Sequence, residues 1–159
     1  MHRAGGNFYA QILNVERSYV MKAYRHGEMV LIPVPQNLEG QWQDLYEQAG
    51  RKMNNPRVIA EGEITGHKHE LVGGQVDAKT LGEDSAMAKS ARTSEYVSRR
   101  SLLRALGIGA IAGPVVLLKV AQAAALRHPE HNALQIPAGR YVAFAQREYD
   151  ETMARRVVD

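Results

Sequence analysis

The chain's strongest constraint is a set of short apolar-rich runs, each too brief for a buried helix. Met29 to Val34, Val58 to Ile64, Val115 to Val120 and Tyr141 to Tyr149 are rich in β-branched and aromatic residues or alternate apolar with polar, the pattern of half-buried strands. Phe8 to Val15 and Tyr19 to Tyr24 read the same way, and His26-Gly27-Glu28 supplies a turn that makes Tyr19–Val34 a hairpin. One segment changes period. Leu38, Trp42, Leu45, Tyr46 and Ala49 recur at three- and four-residue steps, so Leu38–Arg51 is expected to be an amphipathic helix with Trp42 as its core anchor. These readings define a mainly β fold, a small barrel or sandwich of about six to eight strands, with one packed amphipathic helix and a helical insertion.

A chain of 159 residues with 45% hydrophobic and 23% charged residues is long and apolar enough for one packed domain, 1–159. It has no cysteine, which excludes disulfides, thiolate metal sites and cysteine nucleophiles. No Gly-x-Ser-x-Gly elbow is present, and Gly107, Gly109 and Gly113 match neither nucleotide-loop spacing, so no catalytic residue declares itself.

The net charge of +3 is concentrated. Lys79 to Arg104 holds six cations against three anions and carries the whole excess. This basic, helix-prone stretch, residues 77–113, is read as an insertion between strands with Gly107 as a helix C-cap. Its cations Arg92, Arg99, Arg100 and Arg104 are the expected partner-binding residues, facing other protein subunits, copies of this chain, or nucleic acid. The apolar stretch after Ser98-Arg99-Arg100 imitates an export signal. However, Arg104 and Lys119 bracket only 14 residues, fewer than the roughly 20 that cross a bilayer. No membrane association is expected. The polar start, Met1 to Asn7, lacks the features of a secretion signal, so the expected location is the cytoplasm or a virion.

Four of the six histidines form two tight pairs, His67-Lys68-His69 and His128-Pro129-Glu130-His131. Residues two apart on a strand share a face, so His67 and His69 project together, and a turn at Pro129 folds the second pair inward. Convergence of the pairs gives a site for zinc, iron, manganese, nickel or copper, with Glu70 and Glu130 as outer-shell partners or bases. A hydrogen-bonded histidine cluster without metal is the alternative.

The motifs also carry a resemblance. His26-Gly27-Glu28-Met29-Val30-Leu31-Ile32-Pro33, Ala60-Glu61-Gly62-Glu63-Ile64-Thr65-Gly66-His67-Lys68-His69, His128-Pro129-Glu130-His131, Ile136-Pro137-Ala138-Gly139-Arg140-Tyr141 and Gln146-Arg147-Glu148-Tyr149-Asp150 occur in order. Together they resemble a family of short uncharacterised proteins of bacteria and their phages. That resemblance implies that both histidine pairs are motif positions and that Asp77–Gly113 is an addition to a shorter frame. His-x-His followed by Pro-x-Gly is also similar to cupin barrels, although here His131 precedes the Pro137-Ala138-Gly139 turn. Three functional expectations follow. The first is a non-catalytic, phage- or mobile-element-associated structural or interaction protein, such as a virion decoration or assembly factor. The second is a cupin-like metalloenzyme using His67, His69, His128 and His131. The third is a nucleic-acid-binding module acting through the basic insertion.

Overall fold

A computed structural model describes residues 7–10, 21–61, 66–82, 90–109, 111, 113–149 and 154–156. The expected strand positions 11–15, 19–20 and 62–64 and the helix-permissive stretch 83–89 lie outside the described residues.

Two antiparallel sheets carry the fold. The larger has seven strands: β1 (Asn7–Ala10), β2 (Met21–His26), β3 (Met29–Pro33), β4 (Arg51–Lys52), β7 (Gln75–Leu81), β8 (Val115–Gln122) and β11 (Gly139–Ala145). Their spatial order is β1-β2-β3-β11-β8-β7-β4. The smaller sheet has the order β10-β9-β6-β5, from β5 (Val58–Glu61), β6 (Lys68–Val72), β9 (Ala124–His128) and β10 (His131–Ile136). A two-stranded ribbon, β12 (Arg147–Tyr149) with β13 (Ala154–Arg156), follows. Neither sheet closes on itself among the described residues, so the architecture is sandwich-like rather than a barrel. The strands outnumber the sequence expectation because several are short or lack an alternating pattern.

The sheets join at one corner. β6 passes into β7 through Gly73-Gly74, and β8 passes into β9 at Ala123, so two paired strands bend together from one sheet into the other. Gly74 has φ +61° and faces the carbonyls of Gln122 and Ala123 so closely that a side chain there would collide with backbone. The sheets enclose one core of Met29, Leu31, Leu71, Leu118, Leu126 and Ile136.

The opposite face of the large sheet is covered by helices. A 3₁₀ turn (Gln36–Leu38) leads into α1 (Glu39–Gln48), and α2 (Ser94–Ala105) lies beside it. Trp42 is fully buried, stacks on Tyr46 with ring centres 4.9 Å apart and donates Nε1–H to the Tyr141 carbonyl at 3.1 Å. Leu102, Leu103 and Leu106 enter the same core; each buried leucine contributes about 1.5–3 kcal/mol by area. Thr93 caps α2 by accepting the Tyr96 N–H, and Gly107, at φ +76°, ends it as the sequence implied.

The basic segment is thus partly core. Asp77 to Leu81 belong to β7, and α2 packs on its own sheet. Among the described residues no helix is long and apolar enough to cross a membrane.

Candidate functional site

The end of the sandwich near the β2–β3 hairpin gathers five imidazoles. β6 alternates exposed and buried residues, which turns His69 and Leu71 into the space between the sheets and Lys68, Glu70 and Val72 outward. β9 alternates likewise and turns His128 inward. The two-residue turn Pro129-Glu130 places His131 opposite His128 in the β9–β10 ladder. From the large sheet, β2 contributes His26 at its last residue. Ring centres lie 4.4 Å apart for His69 and His128, 4.5 Å for His128 and His131, 5.2 Å for His26 and His69, and 5.4 Å for His26 and His131. His67 stands at the rim, its ring 5.5 Å from His128 and its Nδ1 3.5 Å from the Glu130 carboxylate.

The two histidine pairs therefore converge, and they converge on a fifth histidine that pair-spacing does not single out. His26 and Glu28 flank Gly27 in a tight hairpin, and both are drawn inward; His26 is 1% exposed and Glu28 2%. Glycine is required between them. Gly27 has φ +62°, and a Cβ there would lie 2.6 Å from His131 Nε2. The signal for this contribution was the turn itself, a charged residue beside a histidine within an otherwise aliphatic hairpin.

Arg99 is not a surface residue, and Glu70 stands outside the buried ring cluster. Glu70 follows His69 directly, so strand alternation sends it to the solvent face, away from the buried rings but into the wall of the open cleft that His67 and His128 also line. The carboxylate that meets the buried rings is Glu28, whose Oε1 lies 3.2 Å from His69 Nε2 in a buried contact. Arg99 is 2% exposed, and its guanidinium donates to the carbonyls of Gly82, Ile111 and Gly113, which makes it a clamp for its own chain. Arg92 and Arg104 are exposed, and Arg100 donates to the Tyr96 hydroxyl.

The hydrogen bonds restrict the protons. The Asn132 carbonyl can only accept, so His26 Nε2–H donates to it at 2.8 Å. His26 Nδ1 then meets His69 Nδ1 at 3.1 Å, and His69 Nε2 meets Glu28. Three contacts in a row call for three protons, and two neutral imidazoles bring two. The one additional charge is either a proton shared in the His69–Glu28 contact or a metal ion at the Nδ1–Nδ1 edge. It does not reside on His26, which burial, helped by His69, His131 and His128, pulls down to about 4 against the opposing pull of the Asn132 carbonyl. His128 differs in kind. Its Nδ1 accepts the Glu130 N–H at 3.0 Å, so the neutral ring carries its proton on Nε2 and suits a donor better than a ligand.

Among the described residues no group of three or more His, Asp or Glu side chains is already arranged as a metal site. The nearest approach to one is the His26–His69 edge. With metal–nitrogen bonds of about 2.0–2.1 Å, two ligands of one ion stand about 2.9 Å apart at a right angle and about 3.4 Å apart at the tetrahedral angle. The observed 3.1 Å falls between these values.

Fold and site together define a β-sandwich with a buried histidine–carboxylate cluster at one end. A family model described as a domain of unknown function (DUF8820) matches residues 25–146, and the chain belongs to that family. The match includes His26, Glu28, both histidine pairs and the segment between β7 and β8. Comparison with curated proteins and with solved structures gives no match.

Proposed function

We propose that this protein is a metal-binding β-sandwich whose histidine cluster takes one divalent transition ion, zinc, iron, manganese or nickel, with a structural rather than catalytic purpose. The observation that carries the reading is the His26 Nδ1–His69 Nδ1 approach, with each ring's other nitrogen held by an acceptor. Ligating histidines are commonly oriented in this way, one nitrogen on the ion and the other donating to a carboxylate or backbone carbonyl. Glu28 and the Asn132 carbonyl fill those outer positions, and His131 is the third ring alongside the pair. An ion there replaces the third proton of the chain of contacts and links the two sheets. The burial of His26 and His69 leaves little room for a substrate, which favours the structural purpose.

One observation favours a second, cupin-like enzymatic reading. His67, Lys68, Glu70, Arg127 and His128 are among the residues lining an open cleft of about 440 Å³ at the rim of the cluster. A small substrate could reach the outer imidazoles there, with Glu70 in the wall, or Glu130 beside His67, as base. The interaction reading retains the exposed Arg92 and Arg104 and the half-buried Arg100 as its docking residues. The apolar face of α2, however, is engaged in its own core, which weakens the case for the insertion as a gripping arm.

The test is metal content by elemental mass spectrometry on tag-free protein, as purified and after loading with each ion. The wild-type chain is expected to hold close to one ion, and His26→Ala and His69→Ala to lose it, whereas Arg104→Ala retains it. Absence of metal from the wild-type chain after loading, or wild-type metal content in both histidine variants, sinks the proposal.

A further inference from the structure

We infer that a second site, a cavity between the sheets separate from the histidines, binds a small apolar molecule bearing a protonated amine. The cavity has a volume of about 300 Å³ and lies under β5, with Met29, Met53, Ile59, Ala143 and Ala145 in its wall. It adjoins the cluster without including it: Met29 pairs with His26 across the β2–β3 hairpin, and Ala60, also in the wall, pairs with His69.

The space follows from residue size. Facing sheets normally interdigitate across about 10 Å with side chains filling the gap. Here Ala143 and Ala145 stand opposite Leu31 and Met29 in the β11–β3 ladder, and Ala60 faces the same space from β5. Three methyl groups line a region where leucine or valine would close the core. The methionines opposite are unbranched and adapt to whatever shape enters. An apolar cavity of about 150 Å³ is enough for benzene, so this one has room for a ring with a short chain.

The polar atoms of the wall select the charge. Glu61 is its one charged side chain among the described residues and is exposed at the edge. Thr80 donates its hydroxyl hydrogen to the carbonyl of Leu81 or Val115, so its oxygen retains only acceptor capacity for an incoming group. Both side chains present acceptors. A carboxylate ligand would meet repulsion there, and an ammonium or hydroxyl would be matched.

Phenethylamine is the probe, with 3-phenylpropionate as its anionic counterpart. Titration is followed by the methyl resonances of Met29 and Met53 in carbon-13-labelled full-length protein. Phenethylamine is expected to shift both methyls saturably, and 3-phenylpropionate to leave them in place. Glu61→Gln should raise the dissociation constant by about threefold to fivefold, the value of a partly exposed charge pair. Ala143→Leu, which fills the cavity, should abolish the shifts; if circular dichroism shows that variant unfolded, Ala145→Val replaces it. No saturable shift at millimolar amine, equal shifts with the carboxylate, or wild-type binding in the filled variant each overturns the inference.

Discussion

Gly27 shows how one residue sets the geometry of a whole cluster. Its φ of +62° closes the β2–β3 hairpin tightly enough to bring His26 and Glu28 inward, and its missing side chain leaves room for the His131 ring. Gly27→Ala adds backbone strain of about 1 kcal/mol and a collision with the imidazole, so a loss of roughly 2–3 kcal/mol is expected in urea denaturation. An unchanged midpoint would mean that the rings are not held as closely as the geometry requires. His26 predicts a pH dependence at the same scale. In the unfolded chain it titrates near 6.5, and in the fold near 4. Between these values the unfolded chain binds the additional proton, so the neutral buried ring stabilises the fold fully above about 6.5. That contribution, about 3 kcal/mol, fades as pH falls toward 4 and is flat below. Stability of the metal-free protein against pH should show this slope, and His26→Gln should lack it; equal slopes would assign the acid sensitivity to other groups.

At the scale of elements, α2 is held less by its length than by a single arginine. Arg99 joins three carbonyls that flank the helix in sequence, Gly82 before it and Ile111 and Gly113 after it, so one side chain gathers both connections to the sheet. Arg99→Met leaves those carbonyls without their cationic donor and should cost about 3 kcal/mol in thermal unfolding, whereas Arg104→Ala, on the exposed face, should stay within about 0.5 kcal/mol. Similar losses from both would show that the clamp contributes nothing special. The sequence makes these residues look alike, since burial of a charge depends on a partner that only the fold supplies. Elements with a period of their own were legible: Met29 to Val34, Val115 to Val120 and the Trp42 helix announce themselves in local pattern. β9 did not, because Ala124-Ala125-Leu126-Arg127 has no β-branched residue and acquires its alternation only by pairing with β6. The site was legible by half for the same reason. Histidines two or three apart are visible in one dimension, but His26 and Glu28 join them through contacts 43 and 41 residues long.

Across the whole molecule the cluster and the helices brace opposite faces of the large sheet. α1 and α2 cover one side, and at one end of the other the histidines bridge to the small sheet: His26 and Glu28 come from the large sheet or its hairpin, His69, His128 and His131 from the small one. An ion held by His26 and His69 would thus fasten one sheet to the other, and losing it would require the sheets to part. Its binding energy should act on global unfolding. At a free concentration a hundred times the dissociation constant the gain is about 2.7 kcal/mol, or roughly 5–10 °C in Tm for a chain of this size. Hydrogen exchange reports where the gain falls. Metal held at the His26–His69 edge should slow exchange of core amides in both sheets, such as Leu31, Leu71 and Leu126, by a common factor, and His69→Ala should erase the effect. Metal held instead by the rim pair His67 and Glu130 should protect little beyond the β9–β10 turn and leave Leu31 exchanging at its original rate. That outcome would move the ion out of the core and make the rim cleft, rather than the buried edge, the working part of the fold.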